Sequence, residues 1–366
     1  YEGEARFARA LAYSELIKCF CKAYDSDEQA ANELGVVITE HYKGNEAQKR
    51  ATLKESYEFV LKDLDKATEY LKVDEDEKGD LYDMPYFTEF ACHALRARVS
   101  LYMHRWDDAI KYASKVINSK RYFMASCTQN IGSTSMYNYQ WTEGKSTEGI
   151  WKVEFTLNSY GGALGTIFSN YNYATYRPDY VPAKWVINSY DNNDLRASSI
   201  FRNVTTGYEH ALNWPMLIKY MGDSDFRRNN ILHVHRPTVF RLSEQYLIRA
   251  EAYAMKEDYT KAGKDISTLR TARYSSYGGN TALSKSNAMD VIEAERVKEL
   301  YMEGFRLNDL KRWHKGFKRD INDQPAANFV QSSLKVEKDD PLFVWPIPQH
   351  ELEAPGSEIE PNESNK

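Results

Sequence analysis

Asn287 to His314, NAMDVIEAERVKELYMEGFRLNDLKRWH, is the stretch of this 366-residue chain from which its fold is read. Ala294, Val297, Leu300, Tyr301, Gly304, Leu307 and Leu310 recur every three or four residues, the period of one buried helical stripe. Ser286 or Asn287 can supply the cap. On the other face Glu295, Glu299, Glu303, Arg306, Asp309 and Arg312 alternate in sign. Glu303 to Arg306 and Asp309 to Arg312 stand at i,i+3, where opposite charges support a helix. The reading is a packed helix laced with charge. Gly304 weakens such a helix by about 1 kcal/mol relative to Ala. Either a neighbour packs closely there or the helix divides in two.

Working outward, Thr88 to Ser119 reads as a helical hairpin, with Ala94, Ala97 and Ala109 at close-packing positions and Trp106 at the turn. A second hairpin, Ser243 to Arg273, repeats it at an offset of 153: Arg96 with Arg249, Ala97 with Ala250, Trp106 with Tyr259, Ala109 with Ala262. That is repetition of tetratricopeptide type, two antiparallel helices per unit with small residues where they touch. Gly3 to Phe20 adds a helix with Phe7, Ala10, Leu11, Ser14 and Ile17 on one face. Thr52 to Leu71 adds another through Leu53, Tyr57, Val60, Leu61, Leu64 and Ala67. Between them lies a loop with Tyr24, Asp25, His41 and Tyr42, and the acidic run Asp74 to Asp80 closes the second helix. The fold class is mainly α, a superhelix of tetratricopeptide-like hairpins packed against a loop-rich insert with short strands and helices. The segments are 1–119 for the first part of the scaffold, 120–238 for the insert and 239–366 for the remaining helices and C-terminal extension.

Glu295-Arg296, Glu299-Leu300, Glu303-Gly304, Arg306, Asp309-Leu310 and Arg312-Trp313 also spell an ER..EL..EG.R..DL.RW signature, which resembles that of SusD/RagB-like proteins, surface nutrient-binding lipoproteins of Bacteroidetes. GEARFARALAYSEL at Gly3 to Leu16 is similar to the family's opening. Asp63, Leu64, Ala67 and Leu71, RLSEQYLIRAEAY at Arg241 to Tyr253 and LFVWPIPQHEL at Leu342 to Leu352 match further family patterns. The tail APGSEIEPNESNK departs from the usual ending. The resemblance implies surface glycan capture and delivery to a SusC-like TonB-dependent transporter. It also implies outer-membrane anchoring through an N-terminal acylated cysteine. On that comparison the sequence reads as a fragment or trimmed form without the N-terminal segment. RagB-like peptide capture and a tetratricopeptide scaffold for a protein partner are the rival readings.

Composition narrows the classes. A net charge of −5, with no basic block, argues against nucleic acid as a partner. A mean hydropathy of −0.66 and the lack of an apolar run near 18 residues exclude a spanning helix. The 27 Tyr and 7 Trp in so polar a chain suit wet recognition surfaces, since each ring joins an apolar face to a polar tip. Cys19, Cys21, Cys92 and Cys127 form neither a CxxC pair nor a zinc spacing and read as free structural thiols.

The insert carries the site. GIWKVEFT at Gly149 to Thr156 is strand-like and Pro182 to Tyr190 helical, with Gly, Asn, Ser, Pro and Tyr dominating elsewhere. YNYQW at Tyr137 to Trp141 and SNYNYATYRPDY at Ser169 to Tyr180, after the glycine-rich Ser159 to Gly165, concentrate rings and hydrogen-bonding groups. A pyranose has an apolar C–H face that stacks on a ring and hydroxyls that need partners once desolvated. Tyr137, Tyr139, Trp141, Tyr173, Tyr176 and Trp214 are the stacking candidates, with Arg177 and Asp179 for hydroxyls. Gly144-Lys145-Ser146 is no phosphate loop, because Tyr139 stands where its first glycine belongs. His233 and His235 lack a third ligand by sequence and read as a packed or solvated pair. No nucleophile elbow or Cys–His arrangement appears, so no enzyme, cofactor or metal is expected.

Overall fold

The computed structural model describes residues 1–41, 46–72, 86–207, 213–320 and 335–365; Tyr42 and the Asp74 to Asp80 run lie outside these residues. The helices in chain order are α1 (Glu2–Phe20), α2 (Asp27–Ala30), α3 (Leu53–Tyr70), α4 (Glu89–Tyr102), α5 (Trp106–Asn118), α6 (Met136–Thr142), α7 (Thr166–Ser169) and α8 (Lys184–Asn188). They continue with α9 (Arg196–Ile200), α10 (Ser224–Arg228), α11 (Leu242–Met255), α12 (Tyr259–Arg273), α13 (Ala288–Glu299), α14 (Arg306–Arg312) and α15 (Gln349–Leu352). Among the described residues four antiparallel two-stranded ribbons join them: β1 (Asn130–Ile131) with β2 (Thr134–Ser135), β3 (Gly149–Lys152) with β6 (Thr238–Arg241), β4 (Phe201–Thr205) with β5 (Asn213–Leu217), and β7 (Phe317–Lys318) with β8 (Lys335–Val336). The fold is mainly α.

Both hairpins form, and their repetition is close. Glu89 and Leu242 open α4 and α11, Tyr102 and Met255 end them, and Trp106 and Tyr259 open α5 and α12, each pair 153 residues apart. Ala97, Ala109, Ala250 and Ala262 are fully buried, so backbones approach where the sequence placed small residues. Arg96 reaches Asp65 on α3, and its repeat mate Arg249 holds Asp265 on α12 through two bonds of 2.7 and 2.8 Å. Thr52 caps α3 by a full capping box with Glu55.

The signature stretch divides between Glu299 and Arg306, where Met302 and Gly304 are both left-handed. Gly304 adopts φ +85 with nothing near a Cβ position, so its role is a left-handed turn between α13 and α14 and not close packing. The expected stripe is largely inverted. Ala294, Gly304 and Leu307 are exposed and Val297 half-buried, whereas Glu295, Arg296, Glu299, Asp309 and Arg312 are buried. The acidic face points inward because basic side chains from distant segments meet it. Glu299 accepts from Arg196 at 2.8 Å and Arg273 at 2.8 and 3.0 Å, and from Arg241 as well. Glu295 pairs with Arg196 at 2.7 Å and Arg270 at 2.8 Å. Glu303 turns to Lys219 and Arg241 instead of Arg306, which binds Glu293 at 2.9 Å. The expected Asp309–Arg312 pair does form, at 2.8 Å, and Arg312 continues to Glu251.

This charged layer lies where three apolar clusters meet. The first joins α1, α3, α4 and α5 to Ile150, Trp151 and Phe240 of the β3–β6 ribbon. The second lies within the insert, around Tyr137, Trp141, Phe168, Ile200 and Tyr220, and the third joins α11, α12 and α13. Arg196 and Lys219 reach the signature from the insert, so ion pairs fasten the loop-built region to the helices. Among the described residues no helix is long and apolar enough to cross a membrane, and the four cysteines are free. Burial raises the thiols, Cys21 to about 11 and Cys127 to about 12.

Candidate functional site

The insert separates the sequence's aromatic candidates into two groups. Tyr137 is 0 % and Trp141 4 % exposed. Trp141 sits between Tyr137 and Tyr220, with the Lys219 ammonium 4.0 Å from its ring centroid, and the Arg273 guanidinium lies 4.5 Å from the ring of Tyr137. Neither ring has a face open to a ligand, so these two candidates become core residues. Tyr137, Gln140 and Trp141, at i, i+3 and i+4, form the inward face of the short α6, which five residues of YNYQW could not reveal. Tyr139 on the same helix is half-buried. Trp214 on β5 is half-buried too, its indole N–H donating to Pro182 O at 2.9 Å.

The second cluster is displayed. Thr166 begins the single turn of α7, which ends at Asn170 in the left-handed region, φ 38. The chain then turns tightly from Tyr171 to Tyr176, which face each other as an isolated bridge. Asn172 Oδ1 holds that turn, accepting from Ala174 N at 3.2 Å, Thr175 N at 2.9 Å and Thr175 Oγ1 at 3.2 Å. This is the local competition by which a short amide organises a turn. Its products are a Tyr171–Tyr176 stack with centroids 4.5 Å apart and a Tyr173 ring set edge-on to Tyr171 at 5.7 Å. Tyr173 is 57 % exposed and holds φ 71, an uncommon backbone for a bulky residue. Its hydroxyl donates to Asn230 Oδ1 at 3.3 Å. Arg202 of β4 reaches the Tyr176 hydroxyl, and the bridge from Tyr176 to Thr206 ties the turn to that ribbon.

Arg177 and Asp179 are exposed beside the rings. Arg177 Nε donates to Gly207 O at 3.0 Å, which fixes the guanidinium at the rim, and Asp179 N and Tyr180 N both bond Ile167 O. Tyr180 and, on α8, Trp185 add exposed rings that the sequence reading did not single out. The N-x-x-T spacing of Asn172 and Thr175 between two tyrosines was the available signal for the turn. Asn230, Arg202 and His233 carried none, since each acts from a distant segment.

The two histidines part company. His235 Nδ1 lies 2.7 Å from Asp223 Oδ1 against the rings of Trp141 and Tyr220. His233 faces Ser169 and Tyr171, and burial pushes its pKa below the ordinary value while the Tyr171 backbone opposes that. Among the described residues no group of three or more metal-ligating side chains converges. Gly144, at φ 64, closes a turn beside Asp223, where a Cβ would lie 2.5 Å from Asp223 Oδ2.

Paired helical repeats carrying a loop-built aromatic surface define the class of protein. The chain belongs to the SusD family, whose model matches residues 128–357; a second model, described as starch-binding associating with outer membrane, matches residues 1–101. The fold is similar to that of a SusD superfamily protein from Bacteroides thetaiotaomicron, with 23% identity and a TM-score of 0.78 over 98% of this chain and 77% of that one. It is also similar to a SusD-like carbohydrate binding protein from Bacteroides vulgatus, at 21% identity and TM-score 0.76 over 97% of this chain and 76% of that one. Surface glycan-binding protein A from Bacteroides uniformis shares 16% identity, with a TM-score of 0.70 over 99% of this chain and 77% of that one. No curated protein matches by sequence.

Proposed function

We propose that this chain binds oligo- or polysaccharide at the bacterial surface and passes it to a SusC-like TonB-dependent transporter, without covalent chemistry. In this reading the insert, 120–238, is the ligand-binding region and segments 1–119 and 239–366 are its rigid frame. The observation that carries it is the tyrosine turn. Tyr173 is exposed and Tyr171 and Tyr176 are half-buried on a backbone held by Asn172, beside the exposed polar groups of Asn230, Arg177 and Asp179. A sugar needs that pairing of ring faces with a hydroxyl-binding rim. The glycan-binding names of two structural relatives and the starch-binding family description agree with it. The same description, which names association with the outer membrane, supports anchoring there.

Each ring contact is worth about 0.5–1.5 kcal/mol beyond area burial. Two or three of them with a few hydrogen bonds give a dissociation constant on the order of millimolar to micromolar. The test is native affinity electrophoresis through gels cast with amylopectin, xyloglucan, yeast mannan or chondroitin sulfate. One of these is expected to retard the protein, and Tyr173→Ala to weaken that retardation by about 2- to 10-fold with an unchanged thermal midpoint. Retardation by none, with binding of a peptide panel instead, would replace the glycan reading with peptide capture.

A further inference from the structure

The segment Asn230 to His233 touches the tyrosine turn at both ends. At the tip, Asn230 Oδ1 accepts from the Tyr173 hydroxyl. At the base, the imidazole of His233 lies against Tyr171, with Nε2 3.1 Å from its N and 2.9 Å from its O, and against Ser169 Oγ, 3.1 Å from Nδ1. The His233 backbone is itself clamped, its N–H donating to Met221 O at 3.3 Å and its carbonyl accepting from Gly165 N at 3.1 Å. His233 is left-handed at φ 66 and Asn230 at φ 61, so two non-glycine residues of a four-residue segment hold uncommon backbones next to the strained Tyr173.

Nε2 faces both backbone groups of Tyr171, and Nδ1 faces Ser169 Oγ, which also lies 3.1 Å from Gly165 O. In an Nε2–H ring, Nε2 donates to Tyr171 O and Nδ1 accepts from Ser169 Oγ; in an Nδ1–H ring, Nε2 accepts from the Tyr171 N–H and Nδ1 donates to Ser169 Oγ, which keeps its proton for Gly165 O. Either ring ties the Tyr171 backbone through His233 and Ser169 to the start of α7. His233 and Ser169 are both buried, so water cannot substitute for these partners.

We infer that His233 is the positioning residue of the ring platform: its imidazole fixes the Tyr171 backbone, while Asn230 from the same segment fixes the Tyr173 ring. The inference rests on the platform reading above for its functional meaning, but its structural content stands by itself. The placing of the rings then depends partly on His233, a buried side chain beneath the platform.

The experiment compares the wild-type chain with His233→Asn and His233→Gln by amide hydrogen exchange and by retardation in the gel that retards the wild type. Asn tolerates the left-handed backbone but is too short to reach Tyr171, whereas Gln reaches with an amide oxygen. In His233→Asn the Tyr171 amide should exchange about fivefold faster or more, with retardation weakened about 2- to 10-fold and the amides of α11 unchanged. His233→Gln should restore most of both. Unchanged Tyr171 exchange in His233→Asn overturns the inference. If Tyr173→Ala leaves retardation intact, or no glycan retards the wild type, the glycan reading fails and exchange alone decides the role of His233.

Discussion

Glu299→Gln tests whether the inverted helix face stabilises the fold. Glu299 is fully buried and its two oxygens receive bonds from three guanidinium groups, those of Arg196, Arg241 and Arg273, each itself 0 to 2 % exposed. Together these cations hold the carboxyl well below the usual carboxylate range despite its burial. An isosteric amide keeps the shape but removes the charge, and its NH2 faces donors where an acceptor is required. Breaking a buried pair costs about 3–5 kcal/mol, because the partner charges stay buried and uncompensated. That is a large share of a domain's usual 5–15 kcal/mol. The control is Glu257→Gln, which removes a 3.3 Å pair with Lys285 whose side chains are 66 and 84 % exposed and should cost under about 1 kcal/mol. Urea unfolding followed by far-ultraviolet circular dichroism reads both. Adding Arg273→Gln to Glu299→Gln should cost less than the two single losses summed, since the double variant leaves fewer orphaned charges. A loss for Glu299→Gln no larger than for Glu257→Gln would refute the reasoning and return this helix face to the status of a surface ion-pair array.

Three further outcomes follow from the same structure. Trp141→Ala should cost about 3–5 kcal/mol in stability, read as a lowered thermal midpoint, because the ring packs on Tyr137 and Tyr220; an unchanged midpoint would return Trp141 to the surface. Gly304→Ala should cost about 1–2 kcal/mol through backbone strain alone, and Gly304→Asn less, so equal midpoints for wild type and both variants would remove the left-handed break. His93 is pushed down to about 4 by burial, aided by Lys115, Arg96 and Lys111, so the unfolded chain takes its proton first as pH falls below about 6.5. About 3 kcal/mol of stability should therefore be lost between pH 6.5 and 4 in wild type but not in His93→Leu, and parallel pH profiles of the two midpoints would contradict this.

The repeats were legible because their signal is redundant. Ala97 and Ala250, or Trp106 and Tyr259, occupy equal places in two copies, so the offset that aligned the letters also aligned the helix ends. The signature helix was legible as a helix but not in its orientation. Apolar period alone chose Ala294 and Val297 for the core, whereas Arg196, Arg241 and Arg273 settle the matter from 103, 58 and 26 residues away. No local pattern contains those partners. The same limit divided the aromatic clusters. YNYQW and SNYNYATYRPDY have similar composition, yet one lies on a helix turned into the core and the other on a turn held by Asn172. Composition marks a region as aromatic; only backbone direction decides which rings face water.

These findings also explain how one chain can keep a strained surface. Left-handed backbones at Asn170, Tyr173, Asn230 and His233 each raise the energy of the native state, and four of them sit around one aromatic turn. Such strain persists only where the surroundings over-determine it. Here the surroundings are the second apolar cluster, whose Phe168 adjoins the turn, and the ion pairs that lock Arg196 and Lys219 of the insert onto Glu299 and Glu303. Loosening that layer should therefore reach the platform without touching it. In Glu299→Gln, the Tyr171 amide should lose protection at denaturant concentrations where the α4 amides still keep theirs, which native-state hydrogen exchange resolves. Simultaneous loss in both places would instead make the insert and the helical frame one cooperative unit.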